Sequence, residues 1–319
     1  MRAALFNRYG GPDELYIGKV PMPKASATET LIRVEAASIN GGEIAGRRGD
    51  LKLVTGRRFP KRTGIDFVGI VVDAGVDAAY APVGSRVWGT VKAGGQQGAV
   101  AEYISIGAAH YGLAPKRLTA AEAATLVAGG TTALRALGDL ARLRAGERLL
   151  VRGAAGGVGS VAVQLGKHLG AHVTGLAHPK TADFVRAHGA DEVVDYATPP
   201  EHLGTYDVIF DTRGTELRTY RRQLTSKGRM ITIIFDLSRP IRSVAYLLIA
   251  RLSRSRPLRI FFGDPDRALL EEVAKLVEDG AIHPVLDAEM PFEQIATAHA
   301  RLERGGVLGK VVVRIGDDR

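Results

Sequence analysis

The residues with the clearest chemistry are the glycines of the string Ala154-Ala155-Gly156-Gly157-Val158-Gly159. An apolar, strand-like run (148–151) precedes the string, and a helix-like run (160–169) follows it. Glycines let the backbone pass close to a pyrophosphate, and a helix N-terminus offers that group free N–H donors and the positive end of a dipole. The pattern therefore predicts a dinucleotide site, with an ordinary glycine-rich turn as the alternative. The predicted phosphate contacts are Gly156, Gly157, Val158 and Gly159.

The end of the next predicted strand (171–176) indicates which nucleotide would bind. NAD sites usually carry an acid there to bind the ribose diol, whereas this chain has His178 and Lys180. A cation suits a 2′-phosphate, so the sequence favours NADPH; the alternative is a solvated lysine at a helix start. Tyr196 and Arg304 are weaker candidates for the same phosphate.

Composition and charge exclude some classes of protein and favour others. The chain has 319 residues, 45% of them hydrophobic, and no cysteine, which excludes disulfides and thiolate metal sites. Its 43 basic and 34 acidic residues give a formal charge of +9, which favours an anionic partner. No apolar run has the length of a secretion signal or a membrane span, so we expect a cytoplasmic protein with no integral membrane segment.

The pattern of elements changes along the chain. Residues 1–118 read as short strands separated by Gly and Pro, whereas strands and helices alternate from Thr119 onward. Thr119 and Glu122 form a capping-box pattern that predicts a helix to about 126, with a second helix from about 132 to 143. Asp264 before a proline predicts another helix N-cap. The predicted domains are 1–118 with 264–319, and 119–263.

Motifs along nearly the whole chain resemble one family. Asn40-Gly-Gly-Glu43-Ile-Ala-Gly-Arg47-Arg-Gly49 is similar to an Asn-Pro-x-Asp-x-x-x-Arg-x-Gly pattern, and Gly64-Ile65-Asp66 matches a Gly-His-Glu segment. Gly189-Ala-Asp191 and the terminal Gly309-Lys-Val-Val312 also fit. The chain resembles the zinc-independent, quinone oxidoreductase (zeta-crystallin-like) branch of the medium-chain dehydrogenase/reductase superfamily. The resemblance implies an α/β protein with a GroES-like, β-rich catalytic domain and a Rossmann domain with a doubly wound parallel sheet.

The departures from the zinc enzymes of that superfamily bear on mechanism. Those enzymes bind zinc through a Cys where this chain has Asn40 and a His where it has Ile65. Without a Lewis acid to stabilise an alkoxide, we expect no zinc and no alcohol dehydrogenation. Hydride transfer to a conjugated acceptor (a quinone, an enone or an unsaturated thioester) is favoured instead.

The resemblance also implies roles for single residues. It places Asn40 and Thr132 beside the nicotinamide and its ribose, as the candidate catalytic residues. It places Phe262 and Gly263 near the carboxamide and Lys310 close to the cofactor. Thr212 and Ile233 follow predicted strands at the same sheet edge, so we expect both near the cofactor.

Several interpretations stay open at this point. The first is an NADPH-dependent quinone or enone reductase, and the second is an enoyl-thioester reductase. The third is a non-catalytic, crystallin-like or RNA-binding protein, although aromatics at 6% show no interleaved basic and aromatic pattern for nucleic acid. The resemblance implies a homodimer through the region 229–262. Two basic runs, 47–62 and 239–259, are either solvated faces or the rim of a mouth for an anionic substrate.

Overall fold

A computed structural model describes residues 1–78, 80–92, 97–236, 240–251 and 255–316, without the side chains of 54, 240–244 and 251. The chain divides into two compact units. The first comprises Met1–Ala128, Asp264–Asp279 and Pro284–Arg319, and the second comprises Gly129–Gly263 with Gly280–His283.

The elements follow one another along the described chain. The strands are β1 (Arg2–Phe6), β2 (Tyr16–Lys19), β3 (Glu29–Ser38), β4 (Lys61–Arg62), β5 (Asp66–Ala74), β6 (Arg86–Thr90), β7 (Tyr103–Gly107), β8 (Tyr111–Leu113), β9 (Arg148–Arg152), β10 (His172–Ala177), β11 (Glu192–Asp195), β12 (Tyr206–Asp211), β13 (Leu224–Thr232), β14 (Leu258–Ile260), β15 (Leu286–Pro291) and β16 (Lys310–Arg314). The helices are α1 (Gly41–Arg48), α2 (Lys52–Thr55), α3 (Ala120–Leu134), α4 (Gly159–His168), α5 (Ala182–Ala187), α6 (Leu217–Arg221), α7 (Pro240–Arg251), α8 (Arg267–Glu278) and α9 (Ile295–Arg304).

The first unit is built on antiparallel strands. Its main sheet has the order β15-β16-β3-β5-β6-β8, with β7 also paired to β3, and a small sheet has the order β2-β1-β4. Alternating side chains of β3 are buried, as expected for a strand with one face on a core. That core includes Ile32, Phe67, Ile104 and Val311. The unit is the β-rich domain that the sequence predicts.

The second unit contains a wholly parallel sheet in the order β11-β10-β9-β12-β13-β14. Numbered from β9, this order is 3-2-1-4-5-6, that of a doubly wound dinucleotide-binding fold. The central strands β9 and β12 are buried at nearly every position, as expected for a parallel sheet covered on both faces. In this order the direction of winding reverses between β9 and β12, so their carboxyl ends form the crevice where ligands bind in such sheets. The predicted α/β fold class is confirmed.

Two local predictions were wrong. Helix α3 runs without a break from Ala120 to Leu134, whereas the sequence had predicted one helix to about 126 and a second from about 132. A Cβ on Gly129 would lie 2.7 Å from the carbonyl oxygen of Gly157, so this glycine allows close packing instead of ending the helix. The N-cap of α8 is Asp266, whose side chain accepts from the Leu269 N–H at 2.9 Å, in place of Asp264.

The capping box at the start of α3 is present. The Thr119 hydroxyl accepts from the Glu122 N–H at 3.2 Å, and the Glu122 carboxylate accepts from the Thr119 N–H at 2.8 Å. The two units nevertheless divide after Ala128, within α3, so the predicted boundary at 118/119 stays a prediction. Within the described part of the chain, no helix is both long and apolar enough to cross a membrane.

Candidate functional site

The glycine turn after β9 is shaped by close backbone contacts. Gly153 has a φ of +84°, and a Cβ there would lie 2.2 Å from the Thr212 hydroxyl. A Cβ on Gly159 would lie 2.0 Å from the Gly153 carbonyl oxygen. The turn leads directly into α4; the Gly156 N–H donates to the Gly153 carbonyl at 3.1 Å and the Ser160 N–H to the Gly156 carbonyl at 2.8 Å, which holds the turn at the N-terminus of the helix. The backbone of Gly156–Gly159 therefore forms a cradle that fits a pyrophosphate.

A buried ion pair joins the ends of the two central strands. Arg152, the last residue of β9, pairs with Asp211, the last residue of β12, and its guanidinium lies 3.5 Å from the Tyr220 ring centroid. Asp211 also accepts from the Gly214 N–H at 2.8 Å and the Thr232 hydroxyl at 2.9 Å. Burial raises the pKa of the Asp211 carboxyl, and the Arg152 charge opposes that rise. The pair fixes three neighbouring strand ends at the switch point.

Two predicted cofactor contacts follow those strand ends. The Thr212 hydroxyl donates to the Arg152 carbonyl at 2.7 Å, which ties the turn after β12 to β9. The Ile233 N–H donates to the Asp211 carbonyl at 3.3 Å. Both residues therefore lie at the carboxyl edge of the parallel sheet, where the sequence had placed them.

The predicted nicotinamide-side residues of this unit lie near α3. A Cβ on Gly263 would be 3.6 Å from the Thr132 hydroxyl, so these two residues are neighbours. Phe262 is 71% exposed. Thr132 and Gly263 are thus brought together, whereas Phe262 has its ring largely in solvent.

The residues expected to recognise the ribose phosphate surround the ends of β10 and β11. The His178 Nδ1 accepts from the Lys180 N–H at 3.1 Å, which fixes the turn and leaves the Lys180 side chain exposed. Burial raises the pKa of the Tyr196 hydroxyl, and the positive charges of Arg213 and Arg152 oppose that rise. The sequence predicted that the segment 211–214 passes near the cofactor, but it gave Arg213 no role of its own, because the place of Arg213 beside Tyr196 depends on the strand order.

In the β-rich unit, Asn40 is the centre of a polar cluster. Its amide nitrogen donates to Glu43 at 2.9 Å and also to Asp66, and its carbonyl oxygen accepts from Lys310. The Lys310 ammonium also donates to the Ser38 hydroxyl at 3.0 Å and lies 3.6 Å from Asp66. All three charged side chains are buried. The Asn40 cluster (Ser38, Asn40, Glu43, Asp66 and Lys310) thus holds two carboxyl groups and one ammonium away from water.

The Glu43 carboxyl of this cluster has a raised proton affinity. Burial raises the pKa of Glu43 to about 7, and the nearby charge of Asp66 adds to the rise. Hydrogen bonds from Asn40 and Thr63 and the charge of Lys310 oppose it. Asp66 has the Ser38 hydroxyl at 2.5 Å and the Lys310 ammonium as partners. Glu43 is therefore a group that can hold a proton near neutral pH.

Two further residues of the β-rich unit differ in exposure. Arg304 lies exposed at the end of α9. Arg47, the first residue of the basic run 47–62, is fully buried and pairs with Glu303, and its Nε lies 3.5 Å from the Nδ1 of His299. Burial lowers the pKa of His299 to about 3, with a smaller effect from Arg47. Arg47 is therefore a core residue and belongs to no solvated face or rim.

The structure groups residues that the sequence had not connected. Ser38 and Arg152 were not considered, and Glu43 and Asp66 had appeared only as members of motifs. Glu43 and Asp66 stood out as acids at fixed positions in the resembling motifs, but Lys310, which joins them in a cluster, lies far from both in the sequence. Among the described residues, no group of three or more His, Cys, Asp or Glu is arranged to hold a metal ion.

The strand order and glycine turn define a protein of the dinucleotide-binding dehydrogenase class, and comparisons with known proteins agree. Residues 26–118 match the alcohol dehydrogenase GroES-like domain, and residues 188–313 match the zinc-binding dehydrogenase family. A chloroplastic quinone-oxidoreductase homolog of Spinacia oleracea is 31% identical, over 98% of this chain and 98% of that protein. The mitochondrial NAD(P)H oxidoreductase RTN4IP1 of Mus musculus is 30% identical, over 90% of this chain and 82% of that protein.

Solved structures give the same result. The quinone oxidoreductase from Coxiella burnetii superposes with a TM-score of 0.87 at 26% identity, covering 99% of each chain. The chain belongs to the medium-chain dehydrogenase/reductase superfamily and is an oxidoreductase enzyme. The resemblance inferred from its motifs is thereby confirmed, with quinone oxidoreductase homologues among its relatives.

Proposed function

We propose that this enzyme transfers hydride from NADPH to a conjugated carbonyl acceptor, a quinone or an enone, without zinc. The observation that carries the proposal is the glycine turn at the switch point of the parallel sheet. Relatives named as NAD(P)H and quinone oxidoreductases support the cofactor and acceptor classes. An unsaturated acyl thioester is the alternative acceptor.

The residues at the turn fit the cofactor on geometric grounds. The backbone at Gly159 approaches that of Gly153 so closely that a Cβ would fill the space. Gly156–Gly159 would hold the pyrophosphate, and Lys180 the 2′-phosphate. When bound, NADPH supplies the hydride from its nicotinamide ring. Thr132 and Gly263 are the candidates for orienting that ring. Thr212 and Ile233 would line the cofactor between its pyrophosphate and its nicotinamide ring.

Zinc independence rests on the types of residue present. Asn40 and Ile65 stand at the positions of metal ligands in the zinc enzymes, and the chain has no cysteine. The Asn40 amide is held by two carboxyl groups and Lys310, so its orientation is fixed within the cluster. In this proposal, Asn40 positions the reacting groups, Lys310 supplies a fixed positive charge, and Glu43 holds a proton near neutral pH.

A glycine substitution tests the nucleotide site separately from the fold. A Cβ on Gly156 would meet the Gly153 carbonyl oxygen at 3.5 Å, an ordinary contact, so Gly156→Ala should fold normally. The added methyl group would obstruct the phosphate cradle, and we expect NADPH binding to weaken about 10-fold or more. Gly107→Ala, at a position with open space around it, is the matched control. Binding is measured by calorimetry and folding by thermal denaturation.

Turnover of NADPH is then followed with a quinone, a small enone and an unsaturated acyl thioester, with NADH in parallel. The proposal expects turnover of the wild type with a quinone or enone, and its loss in Gly156→Ala at subsaturating NADPH. Equal NADPH affinity in Gly156→Ala and the wild type would contradict the nucleotide site. Tight NADPH binding without turnover of any acceptor would favour the non-catalytic alternative. Turnover with the thioester alone would favour an enoyl reductase.

Other expectations stay predictions. The homodimer through 229–262, the cytoplasmic location, the absence of nucleic-acid partners and the phosphate contacts of Tyr196 and Arg304 need their own measurements. The domain boundaries 1–118, 119–263 and 264–319 belong with them. Part of the basic run 239–259, namely 239 and 252–254, lies outside the described residues.

A further inference from the structure

Arg213, in the turn after β12, extends along the carboxyl edge of the parallel sheet. Its N–H donates to Asp211 at 3.3 Å, and its Cδ lies 3.6 Å from where a Cβ on Gly153 would be. Its guanidinium carbon lies 5.9 Å from the centroid of the Tyr196 ring, which follows β11. The side chain therefore runs from the end of β12 across the glycine turn after β9 towards β11.

The charge of this guanidinium is not neutralised. Arg213 is exposed and forms no ion pair with any acid in the described part of the chain. The acid nearest in sequence, Asp211, is already paired with Arg152. After β10 and β11, Asp183 pairs with Arg186 at 2.8 Å and Asp195 accepts from the Ala197 N–H at 3.1 Å. An unpaired cation held on an aromatic ring is suited to receive an anion.

We propose that Arg213 binds the 2′-phosphate of NADPH and thereby selects this cofactor over NADH; the inference rests on the function proposed above. In a sheet of this order the adenosine ribose lies beyond the end of the second strand, here β10. The path of Arg213 from Gly153 to Tyr196 crosses that place, because β10 lies between β9 and β11. A guanidinium can bind a phosphate in bidentate fashion, whereas Lys180 contributes a point charge from the turn after β10.

The Tyr196 ring has a defined part in this arrangement. Its centroid lies 5.9 Å from the guanidinium carbon, within the range of a cation–π contact, and such a contact favours one orientation of the long side chain. The ring, and not its hydroxyl, provides this support. Tyr196→Phe should therefore keep most of the preference for NADPH, whereas Tyr196→Leu should reduce it.

The test compares two nucleotides on two variants. Arg213→Met keeps the aliphatic stem and removes the charge; Arg218→Met, at an exposed arginine of α6, is the matched control. Dissociation constants of NADPH and NADH are measured by calorimetry, with 2′,5′-ADP and 5′-AMP as smaller probes. Loss of a charge-assisted contact should weaken NADPH and 2′,5′-ADP by about 10- to 100-fold in Arg213→Met. NADH and 5′-AMP should change by less than about 2-fold, and Arg218→Met should resemble the wild type.

Each other outcome overturns the inference in a recognisable way. Equal weakening of NADPH and NADH would show that Arg213 contacts a part that both nucleotides share, such as the adenine. Unchanged NADPH affinity in Arg213→Met would show that the phosphate lies elsewhere, while the proposed function would stand. A wild type that binds neither nucleotide would contradict the proposed function itself.

Discussion

Glu43 is a buried carboxyl group in a cluster that already contains a second one. Burial raises its pKa from 4.5 to about 7, and Asp66 adds to that rise. The folded protein therefore binds a proton between pH 4.5 and 7 that the unfolded chain releases. By linkage, the free energy of unfolding must fall as pH rises through this window, by about 3 kcal/mol if the full shift is expressed.

A neutral substitution measures this effect. In Glu43→Gln the side chain has the size of the protonated acid and cannot ionise, so the loss of stability between pH 5 and pH 8 should be smaller than in the wild type by about 2–3 kcal/mol. Urea midpoints at the two pH values give the comparison. Glu272→Gln, at an exposed position of α8, is the control and should follow the wild type. The same pH dependence in Glu43→Gln and the wild type would contradict a raised pKa at Glu43.

The sequence identified single members of this site better than their partners. Asn40 and Lys310 were predicted from motifs, because short patterns retain residue types at fixed spacing. Their mutual hydrogen bond joins positions 270 apart, and no local pattern encodes such a pairing. The same limit applies to Arg213: the segment 211–214 was predicted near the cofactor, but the position of Arg213 beside Tyr196 depends on the order of four strands.

Helix α3 shows how an element-scale prediction can fail for a physical reason. The sequence predicted one helix to about 126 and another from about 132, and the residues between them include Gly129 and Gly130, which have low helix propensity. The strand-like run predicted at 148–151 is β9, which is one residue longer, because an apolar run directly before a glycine turn is a clear strand signal. At Gly129, close packing against the Gly157 backbone outweighs the low helix propensity of glycine.

The same substitution should have opposite effects in two helices. Gly129→Ala should lower the free energy of unfolding by about 1–3 kcal/mol, because its Cβ would meet a backbone oxygen at 2.7 Å. Gly46→Ala, in α1, meets nothing within 4 Å and should raise the free energy of unfolding by about 0.5–1 kcal/mol. Chemical denaturation of both variants and of the wild type measures these changes in the free energy of unfolding. Stabilisation by Gly129→Ala would show that propensity, and not packing, dominates at that position.

At the scale of the whole molecule, the formal charge of +9 favours anionic substrates. The run 47–62 contributes exposed arginines such as Arg57 and Arg58, although Arg47 is buried and paired. Exposed charges act over about 10 Å at 0.1 M salt. An electrostatic contribution to substrate capture should therefore depend on ionic strength.

Reversal of these charges tests that contribution. The double variant Arg57→Glu/Arg58→Glu should raise the KM for a phosphate-bearing acyl thioester several-fold at low salt, with kcat unchanged. The KM for a neutral quinone should stay within about 2-fold, and Arg117→Glu, also exposed, serves as the control. An equal effect on both acceptors would contradict an electrostatic role for the run 47–62.

The ammonium of Lys310 has a consequence for how the Asn40 cluster acquires its positive charge. It is the positive charge of the Asn40 cluster, and it is covalently part of the chain. Because this charge belongs to a side chain, it is in place as soon as β16 pairs with β3. A chelator cannot remove it, and no other ion can replace it. The positive charge of the cluster is therefore supplied by the polypeptide itself as it folds.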